Sequence, residues 1–187
     1  MKSDDPLMLG AWSNGRWLYL DLARNRYLAG RCAPDSERRL KQAKAAAQLQ
    51  DSSLILDTLI PKNGMLLHFM RSAWRAWRIR NAPIQQQLAL LRMTPEGRHR
   101  SAQPRDVEHC AAMFQHLRNL RPRRPLCLQD SVGCALFLRQ YVTPLSFHLG
   151  VVQPPFKAHA WVQSGQLVLN DRKQAVEEYT EIARLDL

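Results

Sequence analysis

From Pro155 to Asp171 the chain reads Pro-Phe-Lys-Ala-His-Ala-Trp-Val-Gln-Ser-Gly-Gln-Leu-Val-Leu-Asn-Asp. A strand-like run, a turn around Ser164-Gly165 and a second strand-like run make this a hairpin. A two-stranded ribbon is marginal in water and needs further strands or a helix against it. The flanking sequence supplies both. Leu145 to Val152 reads as a strand, bounded by Thr143-Pro144 and Pro154-Pro155. Cys127 to about Tyr141 reads as a helix, with Leu128, Val132, Ala135, Leu136 and Leu138 on its apolar face.

The rest of the chain reads as short strands followed by helices. Asn14-Gly15 is a hairpin turn, and Leu18, Leu20 and Leu22 alternate with Tyr19 and Asp21 as in a strand. Arg24-Asn25 is a second turn, leading to a strand around Arg26 to Leu28. Asp35 or Ser36 caps a helix to about Leu49, and Asp51 to Ser53 cap another through Ile60, closed by Pro61 to Gly64. Met65 to Arg80 is a basic amphipathic helix. Its stripe Leu66, Met70, Trp74 and Trp77 is expected to pack on the core, with Arg71, Arg75 and Arg78 in solvent. Pro83 opens a helix to Met93, and Thr94 to Pro104 is a loop. Asp106 to Leu120 is a helix, and a final short helix runs from about Gln174 to Tyr179. The fold class is α+β, with helices packed on an antiparallel sheet.

Apolar residues make up 45% of the 187 positions, enough for a packed core. No apolar run reaches bilayer-spanning length. Met1 to Pro6 carries Lys2, Asp4 and Asp5 and lacks an apolar signal core, so a cytoplasmic protein without membrane attachment is expected. Cys32, Cys110, Cys127 and Cys134 form no CxxC pair and no metal-ligand spacing, so free thiols and no metal are expected. The net charge of +11 is uneven: residues 65–125 hold twelve Lys/Arg against three Asp/Glu, net +9. Residues 1–64 are at +3 and residues 126–187 at −1. Such a basic segment attracts nucleic acid, anionic lipid or an acidic peptide.

Cys127 stands at a helix start directly after Pro125-Leu126, where the helix dipole and unpaired N–H groups favour a thiolate. Cys110 and Cys134 fall on apolar helical faces and read as core residues. His159, flanked by Ala158 and Ala160, leaves room for another element to approach. His148, beside Phe147 and Leu149, is the rival imidazole. The hairpin register decides whether Asp171 meets His159. With a two-residue Ser164-Gly165 loop, His159 pairs with Asn170 and Asp171 faces away. With a three-residue Gln163-Ser164-Gly165 loop and a bulge, His159 pairs with Leu169, and Asp171 is its diagonal neighbour on the same face. Gly165 suits the second geometry, which is the expectation. Cys127, His159 and Asp171 then make a nucleophile, a base and an orienting carboxylate.

These motifs carry a resemblance. Cys127-Leu128, Ser131, a helix, a strand ending Gly150-Val151, Pro155-Phe156-Lys-Ala-His159-Ala-Trp161-Val162, Leu169-Asn170-Asp171 and Tyr179-Thr180-Glu181-Ile182 resemble the lasso-peptide B proteins. The segment after the Cys helix, Gln140 to Pro144, lacks the Gly common in that family, and Gln163 stands where an acidic residue is common. The three N-terminal strands and following helices resemble the PqqD-like leader-recognition module in pattern. The resemblance implies a module at 1–64, a basic helical segment of the catalytic domain at 65–125 and a transglutaminase-like, papain-like core at 126–187. It implies a cysteine peptidase that removes the leader from a ribosomally made precursor, with Cys127, His159 and Asp171 as its triad. It further implies leader binding along Arg26, Tyr27 and Leu28, and no cofactor of its own. ATP enters only through a partner, an asparagine-synthetase-like lasso cyclase, and nucleic acid is not an expected partner. Two other readings remain: a transglutaminase-type acyltransferase, and a non-catalytic basic adaptor for peptide or nucleic acid.

Overall fold

The computed structural model describes residues 8–30, 50–51, 64–93, 104–121 and 125–187. Three strands open it, β1 (Met8–Ser13), β2 (Arg16–Asp21) and β3 (Arg26–Gly30), in an antiparallel sheet ordered β1-β2-β3. Asn14 and Gly15 both have positive φ, at 47° and 81°, as a type I′ turn requires. Gln50–Asp51 form a two-residue strand, β4. The rest of the two helices read over 35–60 lies outside the described residues.

The helices are α1 (Met65–Arg78), α2 (Ile84–Met93), α3 (Pro104–Asn119) and α4 (Cys127–Leu138). After them come β5 (Ser146–Val152), β6 (Lys157–Ser164), β7 (Leu167–Val168), the one-turn α5 (Lys173–Glu177) and β8 (Thr180–Asp186). The second sheet is ordered β4-β7-β6-β5-β8, antiparallel except for the β4–β7 bridge. β8 was not legible: five of its seven residues are polar or alanine, and its register slips by one residue opposite Leu149 and Gly150.

Helix α4 is the centre of the molecule. Every residue from Asp130 to Leu138 is buried, between the sheet on one side and α1 and α3 on the other. Phe69 of α1, Phe114 of α3 and Phe137 of α4 meet with ring centroids 5.8–6.2 Å apart. At that contact α1 departs from expectation. Met65, Phe69, Ser72 and Ala76 are its buried face, whereas Leu66, Met70, Trp74 and Trp77 are exposed. The N-terminal sheet shares the same core through Leu18, Leu20 and Leu22, and β1 runs beside β8. Asn25 Oδ1 accepts a hydrogen bond from the Ile84 N–H at 2.9 Å, tying the β2–β3 turn to the start of α2.

Candidate active site

Cys127 is the first residue of α4, after an extended Leu126. The first helical bond runs from the Asp130 N–H to the Leu126 carbonyl at 2.9 Å. The N–H groups of Cys127, Leu128 and Gln129 therefore have no acceptor inside the helix. The thiol is exposed, unlike the buried Cys110 and Cys134, and none of the three is in a disulfide. Its Sγ lies 4.0 Å from the Ala158 carbonyl oxygen, so the helix start abuts β6 one residue before His159. A hydrogen bond with His159 lowers the thiol pKa below its ordinary value, against the opposing effect of burial.

The hairpin turns elsewhere than expected. Ser164 pairs with Leu167, leaving Gly165-Gln166 as a two-residue loop, with φ +60° at Gly165 and no positive φ at Gln166. That is the type II′ pattern, which requires glycine first. Continued in this register, the second strand would set Arg172 opposite His159 and turn Asp171 to the other face. It does not continue: β7 ends at Val168. The Asn170 side chain takes the place of a backbone acceptor, its Oδ1 accepting from the Val162 N–H at 2.8 Å. The chain leaves the ladder there, and Asp171 Oδ2 accepts from His159 Nε2–H at 2.7 Å. The contact comes from a strand-end rearrangement, and the bulged three-residue loop is absent.

With Nε2 on Asp171, the ring nitrogen left for the thiol is Nδ1. Burial alone would lower the imidazole pKa, but the hydrogen bonds from Asp171 and Cys127 outweigh it and push it up to about 9. Asp171 moves the opposite way. Its bonds to His159 and the Arg172 N–H hold it below the ordinary carboxylate value in spite of burial. Both directions favour a charged imidazolium between a thiolate and a carboxylate.

The imidazole is held from its faces as well as its edges. It stacks on Tyr179 at 5.1 Å and on Trp161 at 6.2 Å. Gly150 makes that arrangement fit: a Cβ there would lie 2.8 Å from the Trp161 ring and 2.9 Å from Tyr179 Cβ. Helix and hairpin are locked together behind the site. Ser131 Oγ donates to the Ala160 carbonyl at 2.7 Å and accepts from Asn170 Nδ2 at 2.9 Å. Arg118 donates to Asp130 Oδ2 at 2.7 Å and to the Asn170 carbonyl at 3.0 Å. Sequence reading assigned no role to Ser131, Asn170, Arg118 or Tyr179. Polar residues inside an apolar helix, such as Asp130-Ser131, are the signal that marks such a lock.

His148 is not at the site. It is buried, donates Nδ1–H to Glu181 Oε2 at 2.6 Å, and shares a bond with Ser146 Oγ at 2.8 Å. Arg26, Tyr27 and Leu28 lie on β3, which among the described residues pairs only with β2. Tyr27 packs on Phe156 at 5.1 Å. Burial raises its phenol pKa, and the negative charge of Cys127 raises it further, so this strand lies within electrostatic reach of the thiol. Among the described residues no three His, Cys, Asp or Glu side chains cluster as a metal site needs.

Cys127, His159 and Asp171 open into a pocket of about 740 Å³ whose rim carries Arg118, Arg121 and Arg172. A polarised thiol, an oriented imidazole and free helix N–H groups are the parts of acyl transfer through a thioester. No helix among the described residues is long and apolar enough to cross a membrane. A family model described as the transglutaminase-like superfamily matches residues 69–184, from α1 through most of β8 and across all three site residues. No curated protein and no solved structure matches the chain.

Proposed function

Because the chain belongs to the transglutaminase-like superfamily, we propose that it is a cysteine peptidase with Cys127 as nucleophile, His159 as acid–base and Asp171 as orienting carboxylate. Its proposed substrate is the leader–core precursor of a lasso peptide. The observation that carries the catalytic part is the 2.7 Å bond between His159 and Asp171, with the Cys127 thiol at the start of α4 abutting the same strand one residue before His159. The substrate rests on the sequence motifs around Cys127, His159 and Asp171.

The Cys127 thiolate adds to the scissile carbonyl, and the oxyanion accepts from the Cys127 N–H at the start of α4. His159 gives its Nδ1 proton to the leaving amide nitrogen, the C–N bond breaks, and a thioester and a free core amine result. Water then attacks the thioester while His159 takes its proton. The thiolate leaves, and the leader departs with a new carboxylate.

The leader docks as an added strand on the edge of β3 that pairs with no other strand among the described residues, along Arg26, Tyr27 and Leu28, and this tether raises the local concentration of the scissile bond. The separate asparagine-synthetase-like cyclase uses ATP to join the freed amine to a core carboxylate. The peptidase step as drawn takes place in the cytoplasm and uses neither a metal nor a nucleic acid. An amine in place of water at the thioester gives the acyltransferase reading, since the superfamily includes both chemistries.

The test is mass spectrometry of a leader–core precursor after incubation with the protein and with Cys127→Ala. Two fragments, with cleavage absent and binding retained in Cys127→Ala, are the expected result. A new amide to an added amine supports the acyltransferase, and binding with no covalent change under any condition overturns both enzyme readings.

A further inference from the structure

The buried face of α1 is satisfied by Met65, Phe69, Ser72 and Ala76, so the exposed stripe beside it is free for another use. Met70, Trp74 and Trp77 are each more than half exposed, and Leu126, just before the nucleophile, is 71% exposed. These four side chains wall a groove of about 500 Å³ between α1 and the start of α4. The groove is not a separate feature of the surface. Arg121 and Pro125 line both it and the reaction pocket, and Leu126 in the groove is covalently joined to Cys127 in the pocket. One peptide step is about 3.8 Å between Cα atoms, and an extended substrate advances about 3.3 Å per residue. A peptide held on the Cys127 thiol and running toward Leu126 reaches the groove within about three residues of its reacting carbonyl.

We propose that this groove is a specificity subsite, which takes a bulky apolar side chain of the peptide substrate one to three residues from the scissile bond. The inference rests on the peptidase reading. A concave apolar slot continuous with a reaction pocket fits a single side chain, whereas a membrane face is flat and broad. The charge around it adds a second preference. Arg71, Arg75 and Arg78 sit beside the stripe, and α1 has no acidic residue. An acidic neighbour to the apolar residue strengthens binding, and added salt weakens that part.

The test is a set of leader–core peptides in which Leu or Ala occupies each of the three positions on either side of the scissile bond. Wild type is expected to cleave one Leu peptide about tenfold faster in kcat/KM than its Ala counterpart. Trp74→Ala and Met70→Ala bring that ratio close to one, and Trp12→Ala, at an exposed tryptophan outside the groove, keeps it. Ratios unchanged in Trp74→Ala and Met70→Ala overturn the subsite while leaving the peptidase in place. Absence of cleavage by wild type overturns the peptidase reading instead. The groove is then judged by peptide binding to Cys127→Ala: a Leu preference that Trp74→Ala removes keeps it as a peptide site, and equal binding overturns it. Loss of sedimentation with anionic phosphatidylglycerol vesicles in Trp74→Ala, with cleavage ratios unchanged, assigns the face to a membrane and overturns the proposal.

Discussion

The hairpin β6–β7 and helix α1 were both read from periodicity, and they departed from the reading in opposite ways. In the hairpin the turn was misplaced, yet His159 and Asp171 still meet at 2.7 Å. In α1 the element and its two stripes were right, yet the aromatic stripe faces out and Phe69 faces in. Period tells which residues share a face, and says nothing about which face is covered. A stripe with small residues such as Ser72 and Ala76 wins the core when the partner helix comes close, as α4 does at Gly133, where an added Cβ would lie 3.7 Å from Ala76 Cβ. Bulky tryptophans cannot sit at so close a crossing. The hairpin therefore carries the chemistry, and α1 presents a surface next to it.

The largest effect that division predicts is at Cys127. Cys127→Ala lowers cleavage by about 10⁵–10⁶-fold, as removal of a nucleophile does, while the exposed position leaves the melting temperature where it was. Precursor cleavage and a thermal melt on the same sample check both halves. The division breaks if the variant retains activity. The next effect separates the two stripes of α1. Phe69→Ala, which empties the aromatic cluster with Phe114 and Phe137, costs about 3–5 kcal/mol in denaturant unfolding. Met70→Ala, one residue on and exposed, stays within about 0.5 kcal/mol. Equal costs would mean the aromatic stripe is covered after all.

How much was legible follows the same line. The N-terminal strands were readable because Asn14-Gly15 specifies a turn and alternating Leu18, Leu20 and Leu22 specify a face, both local properties. Cys127 was readable because a proline two residues earlier marks a helix start. β8 was not, because its pairing with β5 lies in tertiary space and its own pattern is interrupted by the register shift at Gly150. Nor was the route by which Asp171 reaches His159, which depends on Asn170 replacing a ladder acceptor and bonding Ser131 on another element. No local rule contains that contact. The same limit hid the stack of Tyr179 on His159, where His159 lies on β6, Tyr179 just before β8, and Gly150 opposite supplies the space.

Asp171→Asn tests the hairpin's electrostatics with an intermediate effect, a loss of about 10⁴-fold in activity. The pH dependence is the sharper readout. The imidazole pKa is raised from 6.5 to about 9, so the stabilisation of imidazolium is fully present below the ordinary value and is lost as pH rises through about 9. The thiol pKa is lowered, so the thiolate's contribution is present above its ordinary value and is lost as pH falls through the depressed one. The charged pair occupies the window between. Iodoacetamide alkylation of Cys127 therefore stays fast below the pH at which an ordinary thiol reacts, and cleavage declines above about 9. In Asp171→Asn the bond that raises the imidazole is gone, and the alkaline limb moves down. An alkaline limb that does not move would detach Asp171 from the imidazole.

The smallest effect distinguishes the turn from the strand end as the feature that seats Asp171. Gly165 has φ +60°, so Gly165→Ala strains the II′ turn by about 1–2 kcal/mol. Nothing lies within 4 Å of the new methyl, so the cost is conformational only. Asn170→Ala removes the acceptor for the Val162 N–H and the donor to Ser131, both buried, at about 1–3 kcal/mol. The two variants are close in stability but differ in chemistry. Gly165→Ala leaves the bond between His159 and Asp171 intact, because the chain has already left the ladder before Asp171. Asn170→Ala frees Asp171 to drift and lowers kcat/KM together with the rate of Cys127 alkylation. Measured side by side at a temperature where both are folded, a loss of activity in Gly165→Ala equal to that in Asn170→Ala would return the decision to the turn.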